Sequence, residues 1–386
     1  MKKILVGLSG GVDSAVSAYL LKKQGYDVTA GFMINYLAPE GEYCPTRDDI
    51  EVAKEVAAYL DIPFFTFDYR EDYALKVLGY MYEGYKKGIT PNPDIMCNSE
   101  VKFKVFLDEA LAHGFDGIAM GHYARIVKSS TGKDFSLFQR EYPKGEGLED
   151  TFHLLKGVDA NKDQSYFLAG LNQFQLSKAL FPIGEYEKSR VREIAREAGL
   201  PNAERKDSQG ICFVGKVDLT TFLEKKINPK PGKILDTSGK VLGEHKGVFY
   251  YTIGQRKGLD LGGQKEPVFI VKKDIEKNEI VVGTTVDLEL YDDKLFVKEF
   301  HFLSSSSLNN SDFSIFQREY PKGEGLEKAL VAKCKIRYRQ ADQDCTIFKE
   351  NDRYRVEFKD KQRAIASGQI CAVYIGDELV MSGVIN

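Results

Sequence analysis

The stretch ILVGLSGGVDS, Ile4 to Ser14, constrains the fold more than any other part of the chain. Ile4-Leu-Val-Gly-Leu8 is a short apolar run of the kind that forms a parallel strand buried on both faces. Ser9-Gly10-Gly11 turns the chain. Asp13 is placed to cap a helix that carries Ala15, Val16, Tyr19 and Leu20 on one side and ends at Gly25. Val28–Ile34 reads as the next strand, which completes a βαβ unit. A second unit follows, with a helix around Asp48–Leu60, on which Val52, Val56 and Tyr59/Leu60 align, and a strand at Phe64–Phe67. A helix over Val101–Ala112 leads to a strand at Gly117–Met120. This alternation predicts a doubly wound parallel sheet.

The texture then changes. Residues 186–199 form an amphipathic helix ended by Gly199 and Pro201. Beyond Lys206, glycine and proline punctuate short β-rich runs such as Val248–Thr252 and Pro267–Val271. From Asp287 onward, Lys294–Val297, Ala332–Arg337, Cys345–Phe348, Tyr354–Phe358 and Cys371–Ile375 have the spacing of a small antiparallel barrel. A chain of 386 residues exceeds one ordinary core. The expected organisation is an α/β domain over 1–206, a small β-rich domain over 207–284 and a β-barrel over 285–386.

Composition narrows the function classes. Hydrophobic content of 43% with 29% charged residues describes a soluble globular protein. The opening MKKILVGLSGG starts like a signal peptide, but its apolar run falls short of the roughly 7–15 residues a secretory core needs. No stretch approaches the ~18 apolar residues of a membrane span. The expectation is a cytoplasmic protein with no membrane partner. The net charge of −3 announces no nucleic acid, so such a partner would need a local basic surface. Cys44, Cys97, Cys212, Cys334, Cys345 and Cys371 include no CxxC pair, so there is no zinc or thioredoxin-like signature. Each cysteine taken alone reads as a small buried hydrophobe.

One segment occurs twice. DFSLFQREYPKGEGLE, Asp134–Glu149, recurs as Asp312–Glu327 with only Leu137 replaced by Ile315. A structural repeat would recur as a whole unit and drift in sequence. This one reads as an insertion tolerated in two surface connections, or as a doubled partner-binding hairpin.

GLSGGVDS, Gly7 to Ser14, is the strongest local signal. Its glycines let backbone N–H groups converge on one point, the helix start adds positive potential, and Ser9 and Ser14 supply hydroxyls. It is neither GxxxxGK[ST] nor GxGxxG. The plainer reading is a tight β-to-α turn. SGGVDS resembles the pyrophosphate loop of the ATP pyrophosphatase superfamily, whose members attach AMP to a substrate oxygen and release pyrophosphate.

Cys97 lies in TPNPDIMCNSEVKF. Pro91 and Pro93 fix a turn, and Asn98 or Ser99 is placed to cap a helix beginning near Val101. Cys97 is therefore expected just before a helix N-terminus, where its thiol pKa would fall, with Lys102 adding to the effect. Asp94 opposes that effect but suits acid/base work. Cys212, in RKDSQGICFVG, sits near Arg205 and Lys206 after Gly210, and remains ambiguous on its residues alone.

GLSGGVDS, GFMINY, TPNPDIMCN, MGHYARI, KDQSYFL, KDSQGICFVG, YTIGQRKGL, IRYRQ and SGQICAVY occur in that order. Over nearly the whole chain this order is similar to the tRNA-specific 2-thiouridylases of the MnmA type, which replace O2 of the wobble uridine with sulfur. The resemblance implies that Gly7, Leu8, Ser9, Gly10, Gly11, Val12, Asp13, Ser14, Met33 and Gly121 contact ATP. It implies that Asn92, Pro93 and Asp94 meet the target base, with Cys97 as nucleophile, Cys212 as persulfide carrier and Asp94 moving the proton. Lys162, Asp163, Gln164, His122, Arg337, Tyr338 and Gln369 are implied tRNA contacts. ATP with Mg²⁺, a tRNA carrying a wobble uridine, and a sulfur donor (a cysteine desulfurase or sulfur-relay protein) are the implied cofactor and partners; no carboxylate cluster identifies a metal site. The family's Pro-Trp-Tyr reads Pro267-Val268-Phe269 here, in a chain with no tryptophan.

Three features carry a bland reading as well. The stretch Lys333, Lys335, Arg337, Arg339 suits phosphate contact but equally a solvated edge strand. GQRKG, Gly254–Gly258, has the same ambiguity. His122 alone reads as a satisfied buried histidine. The rival functions are an amidating ATP pyrophosphatase, for which no ammonia-supplying domain is evident, and an RNA-binding module with an idle nucleotide site.

Overall fold

The computed structural model describes residues 1–38, 44–129, 151–207, 219–264, 266–287, 290–303 and 329–386. Cys212 and both copies of the repeated segment lie outside the described residues.

Five strands form one wholly parallel sheet in the order Phe64–Asp68, Asp27–Ile34, Lys3–Gly7, Gly117–Ala119, Ala179–Leu180. The chain winds outward from the first strand, then returns to lay Gly117–Ala119 on its other side. The crevice between the carboxyl ends of Lys3–Gly7 and Gly117–Ala119 is the switch point, where such sheets bind ligands. Alternation along the first strand explains its unbroken apolar run. Ile4 and Val6 pack with Val16, Val56 and Val191 on one face. Leu5 packs with Phe106, Leu107 and Ile118 on the other. Each such side chain contributes roughly 1.5–3 kcal/mol through burial.

The predicted helix at 48–60 spans Pro45–Tyr59, started by Pro45 in its first turn. The predicted helix over 186–199 is Lys188–Glu197. Val248–Thr252 is not a strand. Val248–Tyr250 is a single 3₁₀ turn, because Tyr250 N–H bonds back to Gly247 O at 3.1 Å and Val248 N–H goes to the Asn278 side chain. Its neighbours form a mixed sheet in the order Phe269–Asp274, Glu279–Gly283, Gly232–Asp236, Val241–His245.

The C-terminal strands Tyr291–Val297, Arg353–Arg363, Gln343–Glu350, Ala329–Lys335, Ile370–Ile375 and Glu378–Val384 pair antiparallel in that order. A bridge from Val297 to Ile385 brings the first strand back beside the last, which closes the barrel. Phe300, Leu330, Ile347, Val356, Val373 and Met381 fill it. The sequence did not foreshadow one feature. The hairpin Ala124–Ser129 with Thr151–Lys156 leaves the α/β region and joins this sheet, Leu155 opposite Glu378. Gln173 then bonds the backbone of both Phe152 and Leu303, so residues bordering the two repeat-bearing connections lie together.

Candidate nucleotide and thiol site

At the switch point the glycine loop closes on itself. Ser9 N–H donates to Ser14 Oγ at 3.1 Å, the two hydroxyls lie 3.2 Å apart, and Ser14 Oγ donates to Gly11 O at 3.0 Å. Gly10 has φ +76°, and a Cβ there would lie 2.7 Å from both Arg205 Nη1 and Asp49 O. Conformation and space therefore both demand glycine. The helix Val12–Lys23 begins at Gly11 with no side-chain cap, so among the described residues no capping side chain competes for its first backbone donors.

Asp13 does not cap this helix, contrary to the sequence reading. It lies within the first turn, and its carboxylate accepts from Tyr123 OH at 2.8 Å and from Lys188 Nζ at 2.8 and 2.9 Å. Burial and the adjacent Asp13 charge push the Tyr123 hydroxyl far above its usual range. Gly121 closes the crevice from the other strand: a Cβ there would lie 2.8 Å from Ser14 N. A Cβ on Gly7 would lie 2.5 Å from Met120 Sδ and 3.3 Å from Met33 Cε. The fold thus gathers Gly7–Ser14, Met33 and Gly121 at one crevice.

A second layer was not legible in the sequence. Asn202 Nδ2 and Arg205 Nη1 donate to Gly10 O at 2.9 and 3.1 Å, and Arg205 also pairs with Asp49 at 2.6 Å. Burial raises the Asp49 carboxyl, an effect Arg205 only partly offsets. Asp207 accepts from Lys162 at 2.8 Å, Lys188 at 2.7 Å and Arg192 at 2.8 Å. Burial alone would raise its pKa, but Lys162 and Lys188 outweigh burial and hold it well below the usual carboxylate range. The charged run before Ser208 was the available signal, and periodicity says nothing about where such a run points.

The segment around Cys97 corrects the sequence reading. The helix starts at Pro93, with Asn92 as its cap (Ile95 N–H to Asn92 Oδ1, 3.2 Å). It continues through a π-helical stretch, Cys97–Val105, into Phe106–Ala112. Asn92 followed by Pro93 is the stronger start signal. Asn98 and Ser99 are inside the helix. Asn98 Nδ2 bonds Phe167 O at 3.0 Å, and Ser99 Oγ bonds Ile95 O at 3.1 Å. Cys97 is 0% exposed and shares a buried cluster with Met33 and Met120. It is no longer at the helix end, where the dipole acts most strongly. Asp94 is half-buried in the first turn. A π-helical insertion of this kind often marks a functional position.

The turn before Asn92 is held from three directions. Thr90 N–H donates to Ser367 O and Gln369 Nε2 donates to Thr90 O, both at 2.8 Å. Thr90 Oγ1 lies 3.1 Å from Thr252 Oγ1. Lys273 Nζ donates to Gly88 O and Tyr251 O, both at 2.7 Å, and burial pushes its pKa down to about 8.

The remaining expected residues lie in different surroundings. His122 is buried between Phe103 and Phe181, and its Nδ1 finds no partner among the described residues. Burial, and then the Lys102 charge, hold its pKa well below the ordinary value. Asp163 is 6% exposed, and its carboxylate accepts from Gly157 N, Ser165 N, Ser165 Oγ and Lys335 Nζ. The structure therefore places Asp163 inside the fold and Lys335 with it, withdrawn from the expected basic stretch. Gln164 accepts from Tyr123 N–H, and Lys162 pairs with Asp207. Arg337 donates to the carbonyls of Arg363 and Ala364, and Tyr338 packs on Phe167 with ring centroids 4.2 Å apart. Among the described residues no group of three His, Cys, Asp or Glu is arranged to hold a metal ion, and no helix is long and apolar enough to cross a membrane.

A glycine loop at the switch point of a parallel sheet, joined to two β domains and accompanied by a buried helix-borne thiol, defines a nucleotide-binding α/β protein with β-rich extensions. Residues 2–216 match the family described as the tRNA methyl transferase HUP domain, 220–284 its PRC-barrel domain, and 293–385 the aminomethyltransferase beta-barrel domain. A tRNA-specific 2-thiouridylase MnmA of Shouchella clausii is 41% identical, covering 100% of this chain and 96% of that protein. That of Christiangramia forsetii is 42% identical over 100% of both chains, and that of Alkaliphilus oremlandii 43% identical over 97% and 94%. The chain belongs to the MnmA-type tRNA-specific 2-thiouridylase family.

Proposed function

We propose that the protein converts the wobble uridine of tRNA to 2-thiouridine, using ATP and a persulfide. The observation that carries this reading is the glycine crevice at the sheet switch point, bordered by Met33 and Met120, with the buried, helix-borne Cys97 in the same hydrophobic core as those two methionines. The uridine C2 carbonyl is a poor electrophile, because its oxygen is a poor leaving group. The C2 oxygen attacks the α-phosphate of ATP, pyrophosphate leaves, and the oxygen becomes part of AMP. The loop Gly7–Ser14 supplies backbone donors for the phosphates, and the residues around Met33 and Gly121 bound the crevice. Mg²⁺ would arrive with the ATP.

The terminal sulfur of a Cys212 persulfide then attacks C2, and AMP leaves with its oxygen. Cys97 thiolate attacks the Cys212 sulfur, the S–S bond to the base breaks, and 2-thiouridine departs. A Cys97–Cys212 disulfide remains and takes two electrons from a dithiol reductant. Asp94, in the first turn of the same helix, is the group for the proton. The fully buried Cys97 must be uncovered before it attacks. The base enters flipped from the anticodon loop, with Asn92 and Pro93 beside it. Lys162, Gln164, Arg337, Tyr338 and Gln369 border the tRNA path, and a cysteine desulfurase or relay protein loads Cys212.

Incubating unmodified tRNA with the protein, ATP and a persulfide donor tests the reading. Nucleoside mass spectrometry should find 2-thiouridine only with ATP present, together with pyrophosphate. Pyrophosphate release with no sulfur in the tRNA would point to another adenylating reaction.

A further inference from the structure

We propose that Lys188 is a polyphosphate-binding residue, an ammonium brought from elsewhere in the chain to a glycine loop that has no cation of its own; this rests on the ATP-binding role given to the loop above. Between Gly7 and Ser14 there is no Lys, Arg or His, and the one charged side chain is the carboxylate of Asp13. Backbone donors alone would have to hold a multiply charged anion beside a like charge, which weakens binding. The fold brings Lys188 to that carboxylate. Its Nζ lies 2.8 and 2.9 Å from the two Asp13 oxygens, in the first turn of the helix that the loop leads into. The Lys188 backbone is fixed separately. Its N–H donates to Asp159 Oδ2 at 2.9 Å, and Val191, one turn on, shares a buried cluster with Val12 and Val16.

The neighbouring cations are not equivalent. Arg205 is engaged by Gly10 O and Asp49, and Lys162 and Arg192 by Asp207. Lys188 bonds both Asp13 and Asp207, the latter at 2.7 Å, and each of these carboxylates has a donor to spare. Asp13 also accepts from Tyr123 OH at 2.8 Å, and Asp207 from Lys162 and Arg192, each at 2.8 Å. Moving the Lys188 ammonium onto a phosphate oxygen therefore strands neither acid, which lowers the usual penalty for breaking a partly buried ion pair. The Lys188 side chain is only 13% exposed, so its charge acts in a poorly hydrated setting, where a charge-assisted bond to phosphate is stronger than at an open surface.

The experiment titrates the full-length protein by calorimetry, with magnesium present, against ATP, inorganic pyrophosphate and adenosine. Lys188→Met should weaken ATP and pyrophosphate at least about tenfold and leave adenosine within about twofold. Lys188→Gln, a second neutral replacement, should show the same split. Lys188→Arg should restore both anions to within about threefold, because a phosphate oxygen accepts from either cation. Arg190→Ala, on the same helix and paired with Glu193 and Glu197 instead, should bind all three normally. If the neutral variants bind ATP as tightly as the unmodified protein, or more tightly because Asp13 is freed for magnesium, the proposal is overturned. An equal loss for adenosine would mean general loosening of the crevice and would also overturn it. Failure of the unmodified protein to bind either ATP or pyrophosphate would instead overturn the nucleotide-binding role on which the proposal rests.

Discussion

The side-chain amide of Gln369, in the C-terminal barrel region, donates to the carbonyl of Thr90 at 2.8 Å, two residues before the cap of the helix that carries Cys97. Thr252 and Lys273 of the central region hold the same turn from another side. The position of Cys97 is therefore set by three parts of the chain that are far apart in sequence.

Lys273 gives this junction a pH signature. Its pKa is pushed down to about 8 by burial, from 10.5. Between those values the unfolded chain holds a proton that the folded chain has released, so stability from this group rises with pH from about 8 toward 10.5. The effect is at most about 3 kcal/mol. Urea unfolding at pH 7.5 and 9.5 should show the rise, and Lys273→Met should flatten it. The same slope in the variant would remove Lys273 as its source.

His122 adds a loss of the same sign at lower pH. Burial keeps it neutral in the fold, so the unfolded chain takes up a proton first as pH falls through about 6.5. Stability should then drop by up to about 1.4 kcal/mol per pH unit. Denaturant titrations from pH 7 to 5 should show a shallower decline in His122→Phe. A histidine NMR signal for His122 that titrates near 6.5 in the folded protein would contradict this.

Gly121→Ala places a methyl carbon about where Ser14 N now leaves 2.8 Å. Gly10→Ala adds a left-handed φ to a similar clash, worth roughly 1–3 kcal/mol of strain. Both variants should lose ATP affinity by at least about tenfold (1.4 kcal/mol) in calorimetric titration. Gly239→Ala also has a left-handed φ but meets nothing within 4 Å, so it should bind ATP normally. Equal affinity in all three would separate the loop geometry from binding.

Lys335 and Lys333 share a strand and differ in duty. Lys335→Ala leaves Asp163 buried without its cation and should cost about 3 kcal/mol. Lys333, whose side chain is 50% exposed, should cost no more than about 0.5 kcal/mol as Lys333→Ala. Equal midpoints in guanidinium titrations would contradict the assignment of Lys335 to the interior.

The parallel strands and the loop were legible because Ile4–Leu8 is apolar on both faces and Ser9-Gly10-Gly11 can only turn. The barrel was legible from strand spacing, although its edges drifted. Asp13 was misread as a cap because a short acid after two glycines has the right local chemistry, and only the fold brings Lys188 and Tyr123 beside it. The helix start at Pro93 was missed because Asn98 and Ser99 offered the same cap chemistry closer to the apolar run. The hairpin that joins the barrel sheet, and the Lys188 bridge from Asp13 to Asp207, depend on long-range contacts that no local pattern encodes.

The central claim is that two cysteines transfer sulfur to a uridine that ATP has activated. Its most direct test is 2-thiouridine formation and tRNA-dependent pyrophosphate release, measured side by side in the unmodified protein, Cys97→Ser and Cys212→Ser. Both variants should lose thiolation by at least about a hundredfold while still releasing pyrophosphate. If both still thiolate tRNA at the unmodified rate, the two-thiol mechanism is wrong.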